Sequence, residues 1–180
     1  MKQEFKTDKT KQKRFFDSKR TALMALFTAL AIVFSYIEAL IPFNFGIPGI
    51  KLGVANIGII IALYILGNRE AIVINIIRIF VISLFFGNIY TFFFSIVGGV
   101  LSTVAMIVIK KFKIFNILSV SIIGAVMHNV GQLIVAVIVV RRFTVAFYGP
   151  VLVIAGIITG MLIGTVSGII IKKVRLEKML

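Results

Sequence analysis

The chain has 180 residues, 60% of them hydrophobic, with a mean hydropathy of +1.12 and a formal charge of +14. A soluble core of this length does not hide so much apolar surface, whereas a lipid bilayer does, so the composition argues against a soluble enzyme. The absence of cysteine excludes disulfides, thiolate nucleophiles and thiolate-bound metals.

The chain opens on a basic stretch, residues 1–20, that holds Lys2, Lys6, Lys9, Lys11, Lys13, Arg14, Lys19 and Arg20. Such a cluster beside an apolar run reads as a topology anchor facing anionic headgroups, and not as a nucleic-acid site. It is too polar for the core of a signal peptide, so the first helix is expected to stay in the mature protein. The first apolar run covers 21–41. A loop punctuated by Pro42, Gly46, Pro48 and Gly49 follows, reaching Leu52.

The second run, 53–66, and the third, 71–86, are short for a bilayer of about 30 Å. They read either as spans of a thinned region or as a re-entrant pair. Turns at Gly67-Asn68 and Gly87-Asn88 flank the third run. The fourth, fifth and sixth runs, 89–109, 117–140 and 151–171, have full spanning length, and a basic tail, 172–180, closes the chain. Sixteen of the twenty basic residues then fall on one side and three on the other, with Arg78 inside the third run. The expected architecture is an all-α integral membrane protein of the cell membrane: a multi-pass bundle of six transmembrane helices with both termini cytoplasmic.

Small residues mark where membrane helices approach closely. Gly156, Gly160, Gly164 and Gly168 recur every four residues in the sixth run, and Ser95, Gly99 and Ser102 share a face of the fourth. Thr21, Ala25 and Ala29 do so in the first, for internal packing or for docking another subunit's helix.

Polar groups at membrane depth face a partner or a cavity. In the fifth run His128 and Gln132 share a face, with Asn129 beside them and Gly124 a turn earlier, leaving room next to His128. This set reads as an interhelical hydrogen-bond knot or as a ligand-contacting cluster. Asn75 and Arg78 share a face of the third run, and Arg78 requires water or an anionic partner, with Glu38, Glu70 or a ligand as candidates. Asn56 opens the second run just after Lys51, in the kind of short segment that marks transporter sites. Lys51, Asn56, Arg78, Arg141 and Arg142 bias the outer half toward positive charge and so toward an anionic ligand. Phe43 and Phe45 lie in the adjoining loop, which is a candidate lid.

The six acids are Glu4, Asp8, Asp17, Glu38, Glu70 and Glu177. They form no Asp-rich motif for Mg²⁺ and a diphosphate, so no catalytic residue is assigned and prenyl transfer by this chain alone is not expected. No phosphate-binding P-loop is present. One histidine without cysteine gives no metal site, and no cofactor is assigned. With few intramembrane carboxylates, transport energy is expected from a partner.

Lys51-Leu-Gly-Val-Ala-Asn56, Gly124-Ala-Val-Met-His-Asn129 and Gly131-Gln132 resemble the family called both heptaprenyl diphosphate synthase component I and Gx transporter. That family is similar in turn to the S components of energy-coupling factor (ECF) transporters. The resemblance implies a six-helix substrate-binding subunit that captures a vitamin-like molecule, such as a flavin, from the outer side. It also implies docking on a coupling protein with two ATPases through Ala25 and Ala29, which match an Ala-x-x-x-Ala docking motif. Lys51, Asn56, Asn75, Arg78, His128, Asn129 and Gln132 are the ligand-binding candidates. The alternative is a non-catalytic accessory subunit beside a soluble prenyl synthase or a flavoprotein, in prenyl-diphosphate or quinone metabolism or in flavin-based extracellular electron transfer.

Overall fold

The computed structural model describes the backbone of residues 2–40 and 53–177 and the side chains of 18–38, 40 and 53–174. Six α-helices follow one another: α1 (Lys2–Leu40), α2 (Asn56–Ile65), α3 (Asn68–Phe86), α4 (Ile89–Lys111), α5 (Ile117–Val140) and α6 (Gly149–Glu177). A 3-10 turn, Phe143–Tyr148, leads into α6, and there is no strand among the described residues. Lys51, Phe43, Phe45 and the proposed lid lie outside the described residues.

Among the described residues, four stretches are long and apolar enough to cross a membrane: Ser18–Glu38, Ile89–Lys111, Ile117–Val140 and Phe143–Val174. α2 is not among them. Its 10 residues reach only about 15 Å at 1.5 Å per residue, half of a bilayer core. The second run was expected to be helical from residue 53, but Gly53–Ala55 form a turn, closed by Asn56 N–H to Gly53 O (2.9 Å). The reason is Gly53, whose φ of +81° lies outside the helical region.

Four other helices run further than their apolar runs, α4 by only two residues, to Lys111. α1 begins at Lys2, because the basic stretch is built of good helix formers without Gly or Pro. Residue 20 therefore divides hydropathy and not backbone. α3 starts at Asn68, before the expected Ala71, and its first turn carries Glu70 at the positive end of the helix dipole. α6 starts at Gly149 and continues to Glu177. Side-chain caps set two of the starts. Asn88 Oδ1 accepts from the Thr91 N–H (2.9 Å) and Asn116 Oδ1 from the Ser119 N–H (2.8 Å).

α2 is the centre of the bundle. It touches each of the other five helices, while neighbours in the surrounding series pair as α1 with α3, α3 with α4, α4 with α5 and α5 with α6. α1 and α6 do not meet among the described residues. This position explains why α2 is apolar on every side. Ile59, Ile60, Ile61, Ala62 and Leu63 are buried in the main core, together with Phe27, Ala31, Ala71, Ile74, Met106, Val120, Ile163 and Ile171.

Close approach holds α4, α5 and α6 together. A Cβ on Gly160 would lie 2.6 Å from Ile122 Cα, on Gly156 3.0 Å from Val126 Cα and on Gly164 2.8 Å from Ser121 Cβ. Gly168 departs from the expected smooth face: nothing lies within 4 Å of where its Cβ would be. Ser121 Oγ donates to Gly160 O at the same seam (2.7 Å).

Candidate functional site

Nine of the thirteen buried polar or charged residues among the described ones converge around α2. Arg78 is 6% exposed. Its Nε and Nη2 donate to Asn75 Oδ1 at 3.1 and 2.6 Å, and Nη1 donates to Ser35 Oγ at 3.1 Å. Asn75 Nδ2 in turn donates to Gly99 O and Thr103 Oγ1, both at 2.9 Å. Asn75 thus accepts from Arg78 with its oxygen and donates to α4 with its nitrogen, so both ends of the amide are used.

On the other side of α2 the same layer continues. Asn56 Nδ2 donates to Ser102 Oγ at 3.4 Å. Gln132 Nε2 donates to His128 Nε2 at 3.1 Å. Gly53 joins these two pairs, because a Cβ there would lie 3.2 Å from Asn56 Nδ2 and 3.3 Å from His128 Cδ2. Gly98 packs against His128 as well, with its would-be Cβ 2.9 Å from His128 O. The layer therefore draws on α1, α2, α3, α4 and α5.

Glu38 completes it. The carboxylate accepts a hydrogen bond from the Gly53 N–H and acts electrostatically on Arg78. Of the partners expected for Arg78, Glu38 is near, whereas Glu70 is not available, since it pairs with Arg20. Buried hydrogen bonds of this kind are strong because no water competes for them, and costly to leave half made.

Two expected members behave differently. Asn129 points away from the layer: its Nδ2 donates to Leu152 O of α6 (2.7 Å), and Oδ1 has no hydrogen-bond partner among the described residues. The room expected beside His128 at Gly124 is filled by Met106, whose Cγ would be 2.6 Å from a Cβ there. Ser35, Ser102 and Thr103 were missed as polar members. Ser35 sits three residues before Glu38, the spacing that puts both on one helix face, and Ser102 was read only as a packing residue. Arg141 and Arg142 are exposed at the end of α5, Arg141 with a left-handed φ of 54°.

A family model described as heptaprenyl diphosphate synthase component I matches residues 27–170. The chain belongs to that family. A search of curated proteins found no match, and neither did a search of solved structures.

The matched region contains the whole buried layer and the glycine seam between α5 and α6. It also contains a groove of about 290 Å³ on the bundle surface, lined by Phe80, Ser83, Leu84, Asn88, Ile89 and Phe92. Phe80 and Phe92 stack tilted across it, with centroids 5.3 Å apart. No group of three or more His, Asp or Glu residues that would hold a metal ion gathers among the described residues.

The opposite end of α2 is fastened by cations. Lys110 Nζ donates to Leu63 O at 2.6 Å and to Asn68 Oδ1 at 3.4 Å, and lies 5.1 Å from the centroid of the Tyr64 ring. Arg20 Nη2 donates to Leu66 O at 3.5 Å and pairs with Glu70. Both cations thus meet carbonyls in the last turn of α2 or just past it, where the helix dipole is negative. Ala25 and Ala29, the expected docking pair, are exposed on α1.

Proposed function

We propose that this chain is the membrane-embedded substrate-binding subunit of an ECF-like transporter. It captures a small anionic or vitamin-like molecule of flavin type from the outer side, with both termini in the cytoplasm and six helices in the membrane. The observation that carries this reading is the buried layer around α2, in which Asn56, Asn75, Arg78, His128 and Gln132 come together from three helices. A fixed guanidinium among amide and imidazole groups, out of water, is the chemistry that recognises a carboxylate, a phosphate or a flavin carbonyl. The short central helix supports the same reading, since a helix end at mid-membrane is tolerated only where it faces protein or a cavity.

The exposed pair Ala25 and Ala29 supplies a smooth face on α1 for a coupling protein's helix. The partner, with its two ATPases, would provide the energy.

A second reading is favoured by the family's description and by the aromatic groove at Phe80 and Phe92. In it the chain is a non-catalytic accessory subunit beside a soluble prenyl synthase or a flavoprotein, and the groove holds an isoprenoid tail.

Purification from native membranes in mild detergent, with mass spectrometry of co-purifying proteins and small molecules, separates the two. Recovery of a transmembrane coupling protein with two ATPases and a water-soluble ligand is the expected result. Recovery of a prenyl synthase or flavoprotein with a long-chain lipid, and no ATPase, would replace the transporter reading with the accessory one.

A further inference from the structure

One contact joins the end of α1 to the turn before α2. Glu38 Oε1 accepts a hydrogen bond from the backbone N–H of Gly53, and both groups are buried. Glu38 lies one turn past Ser35, and Ser35 Oγ accepts from Arg78 Nη1. The same carboxylate therefore faces a buried N–H and neighbours a buried guanidinium. Beyond Gly53 stand the Asn56 amide nitrogen and the His128 ring. A backbone N–H, a guanidinium and an amide N–H₂ are the donor types that bind an oxyanion. Here Glu38 holds the Gly53 N–H, while Arg78 donates to Asn75 and Ser35 and Asn56 donates to Ser102.

The geometry points to Glu38 as a resident stand-in for the anionic group of a ligand: an incoming carboxylate or phosphate oxygen replaces Glu38 at the Gly53 N–H and beside Arg78. This rests on the ligand-capture reading above and deepens it. The exchange keeps one negative charge next to the buried Arg78, so neither state leaves that cation uncompensated. It also releases the end of α1 from the start of α2. Ligand binding is thereby linked to the freedom of α1, the helix that carries Ala25 and Ala29, because a ligand that binds only the released state shifts the population toward it.

The chain has no cysteine, so a single Val54→Cys reporter, one residue from Gly53, reads access to this place. Full-length protein in phosphatidylcholine nanodiscs is labelled with an anionic and with a cationic methanethiosulfonate reagent, on the Glu38 parent, Glu38→Gln and Glu38→Asp. In Glu38→Gln the ratio of anionic to cationic rates rises about tenfold, because Arg78 is no longer neutralised. Glu38→Asp, which keeps the charge, holds the parent ratio. Inorganic diphosphate slows the anionic reagent in Glu38→Gln at concentrations without effect on the parent.

An unchanged ratio, or equal acceleration of both reagents as a merely loosened fold gives, would overturn the proposal. So would protection by phosphatidylglycerol in the nanodisc with none from diphosphate, which would make the site a lipid headgroup site. An unchanged ratio in a protein that still co-purifies with ATPases removes the stand-in and leaves the capture reading. A raised ratio without such partners keeps the anion site and removes the transporter assignment.

Discussion

Gly98 of α4 and Gly131 of α5 meet backbone to backbone: a Cβ built on Gly131 would lie 2.7 Å from Gly98 Cα and 3.0 Å from Gly98 N. Because backbone, not a movable side chain, is the obstacle, even a methyl group forces the two helices apart. Gly131→Ala is expected to cost about 1–3 kcal/mol, the usual cost of overpacking. Gly168→Ala, where the space is open, is expected to be neutral or to stabilise by up to about 1 kcal/mol through helix propensity. Unfolding of the two variants in matched detergent micelles reads the difference. Equal behaviour would contradict the backbone contact.

Asn75 is the acceptor for two of the three Arg78 donors. Asn75→Leu leaves those N–H groups unpaired in an apolar site, and is expected to cost about 2–4 kcal/mol. Asn75→Leu combined with Arg78→Met removes both partners and should recover part of the loss, since no charge is then stranded. A double-mutant cycle on thermal or denaturant unfolding tests this. Additive losses would show that the two side chains do not depend on each other.

At the other end of α2 two cations are attached differently. Lys110 is partly buried and binds a main-chain carbonyl and an aromatic ring. The Arg20–Glu70 pair has its arginine side chain 55% exposed. Lys110→Met is expected to cost about 1–2 kcal/mol. Glu70→Gln is expected to cost under about 1 kcal/mol, and to lose even that in high salt. Stability measured at low and high ionic strength distinguishes the two.

The exposed pair on α1 offers the most direct functional test. Ala25→Leu with Ala29→Leu adds bulk at positions that no described residue covers, so folding and ligand capture should be retained. Co-purification of the coupling protein should fall by at least about tenfold, as expected when small residues that permit close helix approach are filled. Loss of ligand binding in parallel with loss of docking would sink the assignment of these two residues.

The helices were legible because hydropathy and turn residues mark them. Run five, 117–140, coincides with α5, bounded by Asn116, which caps its start, and by Arg141, which leaves the helical region. The ends that differed did so because the apolar run reports contact with lipid, whereas the helix continues wherever the backbone permits. α1 extends to Lys2 through polar helix formers, and α3 gains the turn Asn68–Glu70. α2 lost its first three expected residues to the turn at Gly53. Nothing in the local pattern separates a glycine inside a helix from one that stops it.

Composition and the spacing of small residues by themselves determined that this chain is a bundle of apolar helices, and which residue types must find partners within it. Transfer of uncompensated polar groups into an apolar medium costs too much for Arg78, Asn75, Asn56, His128 and Gln132 to stand alone. Only the tertiary structure decided who those partners are. Sequence spacing relates residues along one helix, whereas the layer is made between helices: Arg78 reaches Ser35 across 43 positions, and Asn56 reaches Ser102 across 46. Asn129, next to His128 in the chain, was turned to α6 by the 100° step of the helix, and Glu38 was carried to Gly53 by the way α1 lies against α2.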